Sequence, residues 1–258
     1  MREILDAVAA GEISPAEAEA QLSGYATDEA GRFDAARETR RGVPEAILGD
    51  GKTSAETASL AATAVETTGR AIVTRTDDDQ REAIRTRVGD DHPDADVTVH
   101  DRERVVAVHD PDFEVSDCEA TVGVVAAGTS DAVPAGEAAI IAAEMGATAE
   151  RIDDVGVAAL TRIVDQLDRL RDVDVLVVAA GREGALPTVV AGLVDAPVIG
   201  LPVSTGYGFG GEGEAALTGM LQSCSVLSVV NVDAGFVAGA QAGLIARAVD
   251  AGSGPTAD

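Results

Sequence analysis

The sequence predicts an α/β protein: a three-layer fold in which a parallel sheet is flanked by helices, preceded by a smaller N-terminal region of helices and a small α/β unit. Two observations carry this. Across residues 118–250, short strands that are apolar throughout alternate with helical segments, the pattern of a parallel sheet covered on both faces. Hydrophobic residues also make up 46% of a 258-residue chain, enough for a buried core despite a net charge of −26.

The elements follow in order. Residues 2–22 read as two short helices joined at Gly11. Ile4, Leu5 and Val8 share a face of the first. Ser14, Pro15 and Glu17 give the second an N-cap, a proline at its first position and a glutamate at its third. The segment 33–45 is basic for this chain and ends in turn residues, and 54–68 is alanine-rich and helical. From Arg70 the period changes: 71–74 is a strand, 77–88 a helix with acidic residues at its start, and 97–99 and 105–108 are strands. This first region is expected to span 1–117.

The second region, 118–250, opens with strand 121–127, a short loop and helix 133–145. A short strand within 147–152, helix 157–170, strand 173–179, helix 185–194 and strand 198–201 follow. A glycine-rich loop at 204–213 precedes helix 214–222, strand 226–232 and helix 236–249. Residues 251–258 are expected to form a disordered tail.

Charge narrows the function classes. Lys plus Arg number 19 against 45 Asp plus Glu, so the surface repels phosphate backbones and anionic membranes. An acidic shell over an ordinary core suits high salt, which screens the repulsion between its charges, and marks the chain as halophilic. No basic segment followed by an apolar run opens the chain, and no stretch reaches the roughly 18 apolar residues of a membrane helix, so a cytoplasmic location is expected. Cys118 and Cys224 are too few and too far apart for a disulfide framework. His92, His100 and His109 lack metal-ligand spacing, and no Ser/His/Asp triad is visible.

In open parallel sheets, ligands sit beyond the carboxyl ends of the strands. Four polar segments fall there and should converge: 128–131, 181–183, 204–213 and 231–233. Gly128-Thr129-Ser130-Asp131 joins a strand to a helix, and its small residues allow an anion to approach free N–H groups. Ser130 can donate to a phosphate or ribose oxygen, and Asp131 can accept from ribose hydroxyls or position an amine. The same residues could equally be a plain helix cap. Gly206, Gly208 and Gly211 fit G-x-G-x-x-G, but too little chain follows for a dinucleotide fold. The loop reads instead as a substrate cover whose Tyr207 could lie on a ring, or as a mobile surface loop.

Glu183 is a candidate general base at a strand end, or a helix N-terminal charge. Cys224 is either a small buried hydrophobe or a nucleophile, and thiolate chemistry would need a nearby positive charge. Lys52, the single lysine, is a candidate phosphate ligand or a remnant surface residue.

Several stretches together resemble one family. They are Arg41-Gly42-Val43-Pro44-Glu45, Gly51-Lys52-Thr53, Ala127-Gly128-Thr129-Ser130-Asp131, Asp154-Val155-Gly156-Val157-Ala158, Glu183-Gly184-Ala185-Leu186-Pro187, Pro202-Val203-Ser204-Thr205-Gly206-Tyr207-Gly208, Gln222-Ser223-Cys224 and Asn231-Val232-Asp233-Ala234-Gly235-Phe236. Over nearly its whole length the chain resembles the LarB proteins of nickel-pincer nucleotide biosynthesis. Their C-terminal domain is similar to PurE, the aminoimidazole ribonucleotide carboxylase or mutase, with a flavodoxin-like sheet.

The resemblance implies the following. The substrates are nicotinic acid adenine dinucleotide and carbon dioxide or bicarbonate. The pyridinium ring is carboxylated and the pyrophosphate cleaved, giving AMP and pyridinium-3,5-biscarboxylic acid mononucleotide. Cys224 is the covalent nucleophile and Glu183 our choice of base. Arg41 and Lys52 hold phosphate or carboxylate groups. Gly128, Thr129, Ser130, Asp131, Ser204, Thr205, Gly206, Tyr207, Asn231 and Asp233 bind substrate. Mg2+ is implied for the pyrophosphate step without an evident ligand set, and a homo-oligomer, an octamer by analogy with PurE, has sites at its interfaces. Thr161 stands where histidine is expected. Carboxylation of aminoimidazole ribonucleotide is the enzymatic alternative, though no counterpart of the Ser-Ala-His-Arg loop of PurE is present. A non-catalytic nucleotide-binding regulator is the other; it would have no use for a thiol.

Overall fold

A computed structural model gives the architecture and describes residues 2–11, 13–28, 30–206 and 208–253. The chain divides into two compact units, Met1–Glu114 and Val115–Asp258.

The first unit begins with helices α1 (Arg2–Ala10) and α2 (Pro15–Ser23). Ser14 Oγ accepts the Glu17 N–H at 3.0 Å, as the cap pattern requires. Strands β1 (Ala26–Thr27) and β2 (Arg32–Phe33) pair antiparallel, and helix α3 (Arg37–Arg41) follows. Next come β3 (Ile47–Leu48), α4 (Ser54–Thr68), β4 (Arg70–Thr74), α5 (Asp78–Asp91), β5 (Asp96–His100) and β6 (Val105–His109). The four-stranded sheet has the order β3-β4-β6-β5, with β3 parallel to β4 and the other pairs antiparallel. Alternate residues of β4 and β6 (Ala71, Val73, Val106, Val108) meet Leu60, Ala61, Ala64 and Val65 of α4 and Ile84 and Val88 of α5. The two-residue strands and α3 were not foreseen, because elements this short display no period.

The second unit contains β7 (Thr121–Ala126), α6 (Ala132–Glu144), β8 (Thr148–Ile152), α7 (Leu160–Asp165), α8 (Leu167–Arg171) and β9 (Val175–Ala180). It continues with α9 (Ala185–Ala191), β10 (Val198–Pro202), α10 (Glu214–Leu221), β11 (Ser228–Val229) and α11 (Gly235–Ser253). All five strands are parallel, in the order β11-β10-β9-β7-β8. One face packs Val122, Val124, Val175, Val177, Ile199 and Leu201 against alanines of α6 and α11. The other packs Val125, Leu176, Val178 and Val198 against Ile163, Leu170, Leu186, Val190 and Met220. This is the expected three-layer arrangement. The two helices on the first face lie close: a Cβ on Gly239 of α11 would sit 2.3 Å from the Ala138 carbonyl oxygen of α6.

Three expected elements differ. Helix 157–170 is a 3-10 turn, Val157–Ala159, followed by α7 and α8; the Gln166 N–H bonds three residues back to Ile163, which tightens and ends α7. Strand 226–232 is laddered only over Ser228–Val229. Helix α11 runs to Ser253, past the expected start of the tail, and 254–258 lie outside the described residues. Among the described residues no helix is long and apolar enough to cross a membrane.

Candidate active site

The chain leaves β7 to one side for β8, then returns to the other side for β9. The gap between the departing loops is where a doubly wound sheet opens at its carboxyl edge. A cavity of about 600 Å³ lies there, lined by Gly128, Ser130 and Asp131 after β7, 156–158 after β8, 181–183 after β9, and Thr205 after β10.

Small residues let these loops approach. A Cβ on Gly181 would lie 3.1 Å from Thr205 Oγ1 and 3.2 Å from Asp131 Oδ1, and one on Gly156 would lie 2.8 Å from the Ala127 carbonyl oxygen. Non-glycine residues in the left-handed region gather at the same edge: Asp154 (φ 60°), Arg182 (φ 45°) and Asp233 (φ 54°). Such backbone strain concentrates at ligand sites.

Asp131 is the buried polar group of the cavity, with 4% of its surface exposed. Its Oδ2 accepts the Gly128 N–H at 3.0 Å, and its Oδ1 accepts Thr205 Oγ1 at 3.1 Å and Ser130 Oγ at 3.4 Å. Burial pushes its carboxyl above the ordinary value of 3.8, while these hydrogen bonds pull it back. Glu183, by contrast, is exposed on the cavity rim.

The loop after β10 is anchored twice at its start, by Thr205 on Asp131 and by the Ser204 N–H donating to Asp233 Oδ1 at 2.9 Å. The Asp233 N–H in turn donates to the Pro202 carbonyl at 2.9 Å. Thus Gly128, Ser130, Asp131, Glu183 and Thr205 line the cavity, whereas Ser204 and Asp233 brace it. Gly206 passes over Arg182: a Cβ there would lie 3.2 Å from the Arg182 nitrogen. Exposed Thr129 and Asn231 are not among its lining residues, and Tyr207 lies outside the described residues.

Cys224 is a free, exposed thiol in the turn between α10 and β11. The next residue, Ser225, donates its hydroxyl to the Thr188 carbonyl of α9 at 3.2 Å, and Cys224 is not among the residues lining the cavity. Cys118 is free and buried.

Arg41 and Lys52 belong to the first unit. Within 37–41, Arg37 pairs with Glu45 at 2.7 Å, Arg40 with Asp34 at 2.7 Å, and Glu38 with Arg70 at 2.5 Å. Arg41 is exposed and has no such partner among the described residues. Lys52 Nζ donates to the Leu48 carbonyl at 2.8 Å, which leaves two N–H donors. Its turn is fastened from beneath by buried Gln80, whose Nε2 donates to the Gly49 and Lys52 carbonyls at 2.8 Å each. Thr53 and Glu56 close the turn as a capping box on α4; the Thr53 N–H and hydroxyl hold the Glu56 carboxyl below its ordinary range.

Sequence reasoning did not place 156–158 at the site, and within 181–183, which it did place at this edge, it gave a role to Glu183 and none to Arg182. The first could have been found, since the segment follows a strand at the same edge as the other loops. The second owes its place to a left-handed backbone, which a sequence does not display.

Residues 25–110 match the family described as LarB/PurE-like N-terminal domain, and residues 121–256 match the family described as AIR carboxylase. The chain belongs to the LarB family. A relative, "Uncharacterized protein MJ0165" of Methanocaldococcus jannaschii, is 38% identical over 253 residues, which is 96% of this chain and 97% of the relative. The LarB and AIR carboxylase-type domains together support a carboxylase-type activity. Thr161, where the LarB resemblance leads one to expect histidine, is exposed on α7 and does not line the cavity. Among the described residues no three His, Cys, Asp or Glu side chains come together as a metal-binding group. The described residues therefore offer no set of donors that fits Mg2+.

Proposed function

We propose that this chain carboxylates the pyridinium ring of nicotinic acid adenine dinucleotide and cleaves its pyrophosphate. The products are AMP and pyridinium-3,5-biscarboxylic acid mononucleotide, an intermediate of nickel-pincer nucleotide synthesis. The observation that carries the reading is the joining, in one chain, of a LarB-type N-terminal domain to an AIR carboxylase-type domain with a free, exposed thiol at Cys224.

The chemistry accounts for the thiol. A pyridinium ring is electron-poor and does not attack carbon dioxide. Addition of the Cys224 thiolate makes it a dihydropyridine, an enamine with a nucleophilic carbon. That carbon attacks carbon dioxide, Glu183 removes the ring proton, and departure of the thiolate restores aromaticity. The hydroxyl oxygens of Ser130 and Thr205, whose protons go to Asp131, accept from the ribose hydroxyls beside Gly128, and Arg41 and Lys52 hold the anionic groups. Cys224 does not line the cavity of its own chain, and in a homo-oligomer with sites at its interfaces the thiol that reaches the ring comes from a second copy.

The AIR carboxylase match also favours a second reading, carboxylation of aminoimidazole ribonucleotide. That reaction gives the thiol and the N-terminal domain no part. The protein is incubated with labelled bicarbonate and either nicotinic acid adenine dinucleotide or aminoimidazole ribonucleotide, and the products are separated. Label in a pyridinium mononucleotide, with AMP released, supports the first reading. Label only in the imidazole product replaces it with the second.

A further inference from the structure

Asp131 is a carboxylate with almost no access to water, fixed by donors on both oxygens. No cation is paired with it among the described residues. An isolated buried charge is costly, and native sites keep one where a ligand completes it. Glu183 lines the cavity too, but in contact with solvent, where water screens its field. The hydroxyls of Ser130 and Thr205 and the Gly128 N–H hold the Asp131 oxygens in place, so its field is preorganised and its position does not depend on the ligand.

From this we infer that Asp131 is the charge partner of a cationic ring, so that the cavity selects a quaternary pyridinium over a neutral ring of the same shape. The inference rests on the reaction proposed above and assigns this residue its part in it. The ring nitrogen is positive in the substrate and neutral after thiolate addition. When the enamine carbon bonds to the carbon of carbon dioxide, the nitrogen lone pair forms a C=N bond, and one C=O electron pair moves onto oxygen. The nitrogen becomes cationic again as a carboxylate forms. Asp131 stabilises that returning charge, which develops on the path to carboxylation. Removal of the ring proton then neutralises the nitrogen, and expulsion of the thiolate leaves the product pyridinium.

The test compares two ligands that differ in ring charge, nicotinic acid adenine dinucleotide and its reduced dihydropyridine form. Binding to the full-length protein is measured by calorimetry without bicarbonate. The cationic form is expected to bind wild type at least about tenfold more tightly, equivalent to about 1.4 kcal/mol. Asp131→Asn, close to isosteric, is expected to bring the two affinities together while binding of the reduced form persists, which also shows that the variant is folded. Equal affinities in wild type, or a preference that survives in Asp131→Asn, would overturn the assignment and leave the proposed reaction standing. If wild type binds neither dinucleotide, both fall together.

Discussion

The Thr205 hydroxyl donates to Asp131 Oδ1 at 3.1 Å, joining the loop after β10 to the loop after β7. The bond does two things: it starts the loop after β10 in a set direction, and it favours the ionised form of a buried carboxyl. Thr205→Val removes the donor and leaves the burial. Stability at neutral pH should fall by about 1 kcal/mol, below the usual worth of a hydrogen bond to a charged group because Thr205 is open to water. Urea melts measure this. Thr205→Ser should recover it.

The pH dependence follows from the same carboxyl. Its folded pKa is raised by burial above 3.8, so it binds its proton more tightly folded than unfolded. Its contribution to stability is full below 3.8 and is lost as pH rises through the raised folded value. Wild type should therefore show an acid limb in dinucleotide binding above the ordinary carboxylate range. In Thr205→Val that limb should move to higher pH. A limb that stays fixed when Thr205 is changed would assign it to a group other than Asp131.

Cys224→Ser should keep the fold, since the residue is exposed and the change nearly isosteric. It should abolish label incorporation from bicarbonate, because a serine hydroxyl at neutral pH is a far weaker nucleophile than a thiolate. Cys118→Ser, in the core, should leave most activity intact. Carboxylation by Cys224→Ser at the wild-type rate would rule out the covalent route.

Lys52→Ala should weaken dinucleotide binding by about 1.5–3 kcal/mol, the range for hydrogen bonds to a charged group. The fold should survive, because Gln80 and the Thr53–Glu56 box hold the turn without the lysine side chain. Calorimetry beside a thermal melt separates the two effects. Arg41, exposed beside two arginines already committed to carboxylates, should behave in the same way.

Salt is the fourth variable. With a net charge of −26, the protein should melt at a lower temperature in dilute buffer than in molar potassium chloride, where self-repulsion is screened. An unchanged midpoint would remove the case for salt adaptation.

Much of this was legible because burial is two-sided. Strands β9 and β10 are apolar from end to end and β7 from its second residue on, and only a sheet with helices on both faces accommodates them. The loops that follow them were then located by topology alone. Other features depend on what a strand or helix meets. β11 pairs over only two residues of 226–232, and α7 stops at a tight turn that no glycine or proline announces. Asp131 reads in sequence as an ordinary cap residue. Its isolation emerges only when Gly181 and Thr205, far along the chain, close over it.

That Cys224 does not line the cavity of its own chain has a genetic consequence, if a second copy supplies the thiol as proposed. A chain lacking the thiol still offers an intact cavity, and a chain lacking Glu183 still offers its thiol. Cys224→Ser and Glu183→Gln, each inactive alone, should therefore complement when co-expressed. Random mixing of equal amounts in a symmetric assembly would restore about one quarter of the sites.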